Sequence, residues 1–165
     1  MKKLFILMLS FLSLWALELT SDIGDYFHKS NAFNQFGCGG ENISPALFWK
    51  DTPKNTQSFV LTIYDIDAPK GWWHWIVLNI PAKINSLEKN ASMSPKMPKG
   101  VIELKNSYGT FGYGGPCPPV GDKPHRYVFT LYALDKKINP HRKDIEKQIK
   151  KHIIQKATFT ALYKR

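Results

Sequence analysis

Cysteine is nearly absent from this 165-residue chain, which holds only Cys38 and Cys117. That count excludes a disulfide-stapled miniature fold and a four-cysteine zinc centre. Arginine is scarcer than the charge suggests, at 3 residues against 20 lysines. The lysines are spread along the chain with no stripe that could follow a phosphate backbone, which argues against nucleic-acid binding. No apolar run reaches the roughly 20 residues needed to span a bilayer as a helix. The chain also lacks a Gly-x-Ser-x-Gly elbow, a His-Glu-x-x-His pair, a phosphate-binding P-loop, internal repeats and low-complexity tracts. The commonest hydrolase, zincin and nucleotide-binding signatures are therefore missing.

What is present favours one domain with many turns. Hydrophobic residues make up 43% and aromatics 13%, with 11 Gly and 11 Pro. Such a composition can bury a core, and it suits a β-rich fold better than long helices. The formal charge is +10, which suits attraction to anionic surfaces such as lipid head groups. Lys2 and Lys3 precede an apolar stretch from Leu4 to Trp15, broken only by Ser10 and Ser13 and followed by Ala16. This is the layout of a secretory signal peptide over 1–16, with a single domain over 17–165. A buried N-terminal strand or helix is the competing reading. Periplasmic or secreted placement follows from the signal, and in an oxidising compartment the two loop cysteines suggest one disulfide, with two free thiols as the alternative.

Residues 17–50 are turn-rich and read as loop with short strands. Ser58–Asp65 alternates, putting Phe59, Leu61, Ile63 and Asp65 on one face of a strand that ends in a carboxylate. Trp72–Ile80 is apolar on both faces apart from His74 and Asn79, as in a central strand. His125–Leu134 is a further strand, opened by His125 after a Gly/Pro-dense loop at 106–123. The connection at 81–100 reads as irregular, with one helical turn near 84–90. A helix is expected from Asp144 to Lys156, with Asp144 at its N-cap and Ile145, Ile149 and Ile153 buried, before a final strand through Phe159 and Leu162.

Asp65, His74 and His125 thus stand at three strand ends, where small-ligand sites are usually built. Antiparallel pairing places Asp65 beside His74, and strict alternation puts His74 on the face of Trp72, Ile76 and Leu78. A carboxylate beside an imidazole favours its protonated form, which could donate to a phosphate oxygen. Gly114 and Gly115 would leave backbone N–H groups free for the same oxygen. A buried His–Asp pair that only supports the core is the plainer alternative. Two His and one carboxylate could also ligate zinc, but no close His pair or cysteine cluster supports a metal, and no cofactor is implied. Acid/base hydrolysis by these groups is a minor reading. Ser44 fits a turn better than a nucleophile.

At these residues the chain resembles a known family. Tyr-Asp-Ile-Asp-Ala-Pro from Tyr64, Trp-Trp-His-Trp from Trp72, Gly-Gly-Pro-Cys-Pro-Pro-Val-Gly-Asp-Lys-Pro-His-Arg-Tyr from Gly114 and Gly-Glu-Asn-Ile-Ser-Pro-Ala-Leu from Gly40 are similar to motifs of the phosphatidylethanolamine-binding protein family, in its bacterial Raf-kinase-inhibitor-like branch. The resemblance implies a mainly β fold, a β-sandwich of two antiparallel sheets with a few peripheral helices, and an anion pocket at one end. It carries pocket positions onto Asp65, Asp67, Pro69, His74, Gly115, His125 and Tyr127, and pairs Cys38 with Cys117. Ile66 departs from the proline usual between the two aspartates, and a tight family turn suggests a cis Ala68–Pro69 peptide. The expected protein is a non-enzymatic binder of a small anion or phospholipid head group. Inhibition of a protease or another enzyme through loops at the pocket rim is the alternative, and membrane-surface association and a homodimer are both compatible.

Overall fold

In the computed structural model, residues 16–141 and 143–165 are described. The expected signal segment lies outside the described residues apart from Ala16.

The alternating stretch forms β3 (Ser58–Asp65) at the centre of a five-stranded antiparallel sheet. Its neighbours are β4 (Trp72–Pro81) and β7 (His125–Leu134), and the edges are β6 (Ile102–Glu103) and β8 (Ile153–Tyr163). A second, three-stranded sheet holds β1 (Glu18–Ser21), β2 (Leu47–Lys50) and β5 (Ser86–Leu87). Two antiparallel sheets face one another, as expected of a sandwich. Leu19, Leu47, Trp49 and Leu87 of the small sheet pack with Phe59, Leu61, Ile63, Val77, Phe129 and Leu131 of the large one. β3 is buried on both faces. Val60 looks outward, where Leu78, Leu134 and Ile138 are covered by Ile149 of the helix α1 (Ile145–His152).

The structure corrects three expectations. The helix stops at His152, and Ile153–Lys156 belongs to β8, where Ile153 pairs with Leu134 and Lys156 with Tyr132. Ladder hydrogen bonds and β-branched Ile153 and Ile154 outweigh the helical periodicity there. Ile153 is consequently exposed. The turn expected near 84–90 contains the short strand β5, paired with β2. No peptide bond among the described residues is cis, so Ala68–Pro69 is trans. The reversal after Pro69 is made by Lys70 and Gly71, with φ of 66° and 70°.

An irregularity in the β3–β4 ladder sets the position of His74. Ile63 pairs with Trp75 and Tyr64 with Trp73, so His74 is an extra residue without a partner on β3. This is a β-bulge. Strict alternation would set His74 with Ile76, which packs on the outer, helix-covered side. The inserted residue instead leaves His74 and Trp75 both buried, Trp75 in the inter-sheet core.

Candidate functional site

A cavity of about 570 Å³ opens at the end of the sandwich where β3 finishes and β4 and β7 begin. Asp65, Pro69, His74, His125 and Tyr127 line it, together with Trp72, Tyr108 and Arg165. Strand register explains the gathering. Asp65 pairs with Trp72 on one side and Tyr127 on the other, and His125 pairs with Tyr163 two residues before Arg165.

Asp65 orders the site from within. Its Oδ1 accepts the backbone N–H groups of Asp67 (2.8 Å) and Ala68 (3.1 Å), which folds the loop that carries Pro69. Its Oδ2 accepts Nδ1–H of His125 at 2.7 Å. His125 Nε2 lies 3.5 Å from an Asp122 oxygen. The partner of Asp65 is therefore His125, and the expected Asp65–His74 pair is not formed. His74 donates Nδ1–H to the Gly114 carbonyl at 2.6 Å, and with the residue 2% exposed, burial pushes its pKa down to about 4. His74 is accordingly neutral at pH 7, which removes it as the imidazolium donor expected from its sequence context.

Two further expected positions do not face the cavity. The Asp67 carboxylate takes the Arg126 backbone N–H (2.8 Å), Nε (2.9 Å) and Nη2 (2.8 Å). This fork holds its pKa well below the usual carboxylate range. Asp67 thus fastens the β3–β4 loop to β7. Gly115 donates its N–H to Asn42 Oδ1 at 2.7 Å, and Gly114 donates to the His74 carbonyl at 2.8 Å. Neither N–H is free for an anion. A Cβ at Gly115 would overlap the backbone of Asn31–Phe33, so close packing is what requires glycine there.

The cavity's unspent polar atoms lie elsewhere. Tyr127 is fully buried, and its Oη has no hydrogen-bond partner. Burial raises its pKa far above the usual phenol value, so it keeps its proton. Trp72 Nε1 is likewise buried and unpartnered. Such orphans are rare in native interiors and call for an explanation. Arg165 adds a cation whose Nε and Nη1 donate to the carbonyls of Pro118 (2.7 Å) and Gly37 (3.0 Å). Those two segments are also joined by the Cys38–Cys117 disulfide, with Cα atoms 5.6 Å apart, as the sequence suggested. Tyr108, which donates to the Gly115 carbonyl at 3.0 Å, stacks on Phe33 at 4.0 Å and walls the cavity beside His74.

Trp72, Tyr108 and Arg165 were missed as site residues by sequence reasoning. The Trp-Trp-His-Trp motif was the available signal for Trp72, whereas nothing local marks Tyr108 or Arg165. No group of three or more His, Cys, Asp or Glu among the described residues could hold a metal ion. Beyond the far end of β7, Lys136, Lys137, Lys147 and Lys151 gather around a second cavity of about 480 Å³, so the lysines are less dispersed in space than in sequence.

Comparison with known proteins agrees with this architecture. Residues 24–164 match the family model described as phosphatidylethanolamine-binding protein. The Escherichia coli protein YbcL is 45% identical over 126 residues, covering 72% of this chain and 69% of YbcL. A Methanothermobacter thermautotrophicus relative is 40% identical over 149 residues, covering 83% of this chain and 97% of its own length. The crystal structure of Escherichia coli YbcL, described as a new member of the mammalian family, superposes with a TM-score of 0.85. It covers 92% of this chain and 99% of YbcL at 37% identity. A Chlamydia trachomatis homologue superposes with a TM-score of 0.74 at 31% identity, covering 91% and 98%.

Proposed function

This chain belongs to the phosphatidylethanolamine-binding protein family, and on that premise we propose that it is an extracytoplasmic, non-enzymatic protein whose cavity binds a small phosphate-bearing ligand. One observation carries the reading. The lining carboxylate, Asp65, is already committed to His125 and two backbone N–H groups, while Tyr127 and Trp72 in the same wall carry a buried Oη and Nε1 without partners, and Arg165 adds a cation to that wall. An oxyanion satisfies such donors, and an apolar ligand would leave them stranded.

The side chains along the cavity support binding over turnover, since no serine or cysteine among them is hydrogen-bonded to either imidazole. The two imidazoles hydrogen-bond to Asp65 and a backbone carbonyl. Cys117 is held in a disulfide, and Ser107 Oγ accepts the Trp73 N–H at 2.9 Å. The disulfide and the charged, apolar, then small-residue start of the sequence support export.

Calorimetric titration with inorganic phosphate and phosphorylethanolamine tests the proposal. Saturable binding is expected, weakened by about tenfold or more in His125→Ala or Tyr127→Phe. Unchanged affinity in both variants, and in His74→Ala, overturns the assignment of the pocket.

A second reading has its own support in the exposed Phe36 (72%) and Val120 (77%), which project from the segments that border the cavity. Apolar side chains on a rim suit contact with another protein, such as an enzyme that the rim would inhibit. Retention of a specific envelope enzyme by immobilised protein, lost on Phe36→Ser with phosphate binding intact, supports it.

A further inference from the structure

The two histidines of the cavity are chemically unequal, because each has its Nδ1 proton fixed by a different partner. His125 faces carboxylates through both ring nitrogens. His74 faces a neutral carbonyl, and that carbonyl cannot turn away easily. The same Gly114 that accepts from the His74 ring donates its N–H to the His74 main-chain oxygen, closing a reciprocal pair. The ring is further held edge-to-face against Tyr127 (5.0 Å) and Tyr108 (5.8 Å). With the Nδ1 edge turned to Gly114, Nε2 is the nitrogen left to the cavity. A neutral imidazole protonated at Nδ1 presents a lone pair there, so Nε2 can only accept.

We propose that His74 Nε2 makes the cavity selective for an oxyanion that carries its own proton, a phosphate monoester or inorganic phosphate, over sulfate and over phosphodiesters. The inference rests on the phosphate-binding reading above and narrows its ligand class. Near pH 7 a monoester or inorganic phosphate retains a P–O–H for part of its population, which can donate to Nε2 while its other oxygens accept from Tyr127, Trp72 and Arg165. Sulfate has no such proton. Its oxygen lone pairs would face the imidazole lone pair in a desolvated site, leaving two acceptors unsatisfied. The charged and titratable groups around the ring are Asp65 on β3, His125 and Tyr127 on β7, Tyr108 on the 106–123 loop, and Arg165 after β8. Asp65 and the Gly114 and Gly115 backbone favour a protonated ring, and burial together with His125 outweighs them.

The test compares four probes on the wild-type protein by calorimetry at pH 7 and equal ionic strength: inorganic phosphate, phosphorylethanolamine, sulfate and glycerophosphorylethanolamine. The last is a diester with the same ammonium group, so it separates a P–O–H donor from an ammonium donor. The two proton-bearing phosphates should bind at least about tenfold tighter than sulfate or the diester. In His74→Gln, whose amide can offer N–H as well as C=O, that ratio should fall to about twofold. If the variant does not fold, nitrogen NMR of the wild-type ring decides: Nε2 should be unprotonated, and phosphate but not sulfate should shift its resonance. Equal affinity for phosphate and sulfate, or for the monoester and diester, overturns this inference and leaves the pocket reading intact. Binding of none of the four overturns both, and a proton on Nε2 overturns the selectivity alone.

Discussion

His125 Nδ1 and Asp65 Oδ2 lie 2.7 Å apart at the floor of the cavity, and the second oxygen of the same carboxylate holds the loop from Asp67 to Ala68. One side chain therefore couples the orientation of an imidazole to the shape of the loop over it. Asp65→Asn keeps the volume but sets an amide N–H or a weaker acceptor against these donors. Unfolding in urea should show a loss of about 2 kcal/mol, the scale for leaving a buried hydrogen-bonding group without its partner. A loss within error of zero would mean that the pair is incidental.

His74 gives the protein a pH dependence of definite sign. Its folded-state pKa of about 4 lies below the 6.5 of a solvated histidine, so in that interval the unfolded chain binds the extra proton. Stability contributed by the neutral ring is complete above pH 6.5 and declines as pH falls, by up to on the order of 3 kcal/mol near pH 4. In His74→Gln this decline should vanish from the window. Urea midpoints measured from about pH 4 to 7 check it, and parallel curves for the two proteins would contradict a buried neutral ring.

Asp67 acts in the same direction, in a lower pH window. Because Arg126 holds its pKa below that of an unfolded aspartate, its stabilising contribution is present above about pH 4 and disappears as pH falls through the folded-state value. Asp67→Asn should therefore melt at a lower temperature than the parent at neutral pH, and the gap should narrow on acidification below about pH 4. Phosphate affinity should change little, since the carboxylate is turned to Arg126 and away from the cavity. A drop in affinity matching that of His125→Ala would restore Asp67 as a ligand contact.

The Cys38–Cys117 bridge spans 79 residues of sequence and joins two segments of the cavity wall. Cys38→Ser/Cys117→Ser should lower stability by about 4 kcal/mol in the chain-entropy account. Arg165 continues to tie Gly37 to Pro118, so weak phosphate binding should survive. Denaturation with and without reductant measures the first effect, and titration measures the second.

The strands at 58–65, 72–80 and 125–134 were legible because each alternates or runs apolar between Gly and Pro borders. The end of α1 was not, since Ile149 and Ile153 fit a helical stripe, and only pairing with β7 shows that the chain has already become a strand. Around the cavity, sequence brought Asp65, His74 and His125 together but misassigned their partners. The reasons are all long-range. Asn42 takes the Gly115 N–H from 73 residues away, and Arg126 takes Asp67 from 59 away. Neither relation leaves a local signature. Tyr127 was named from family motifs, yet its unpartnered hydroxyl becomes visible only when the strands are packed.

The bulge in β4 means that the cavity is specified by chain length as well as by residue identity. Deleting Trp73 alone would restore one-to-one pairing with β3 from Ile63 to Asp65 and set His74 opposite Tyr64, the place that Trp73 now holds. The imidazole would then point toward the helix, although the histidine itself had been kept. Homologues that share the motif but differ in the count of residues across this stretch should thus be sorted by register before they are credited with the same chemistry.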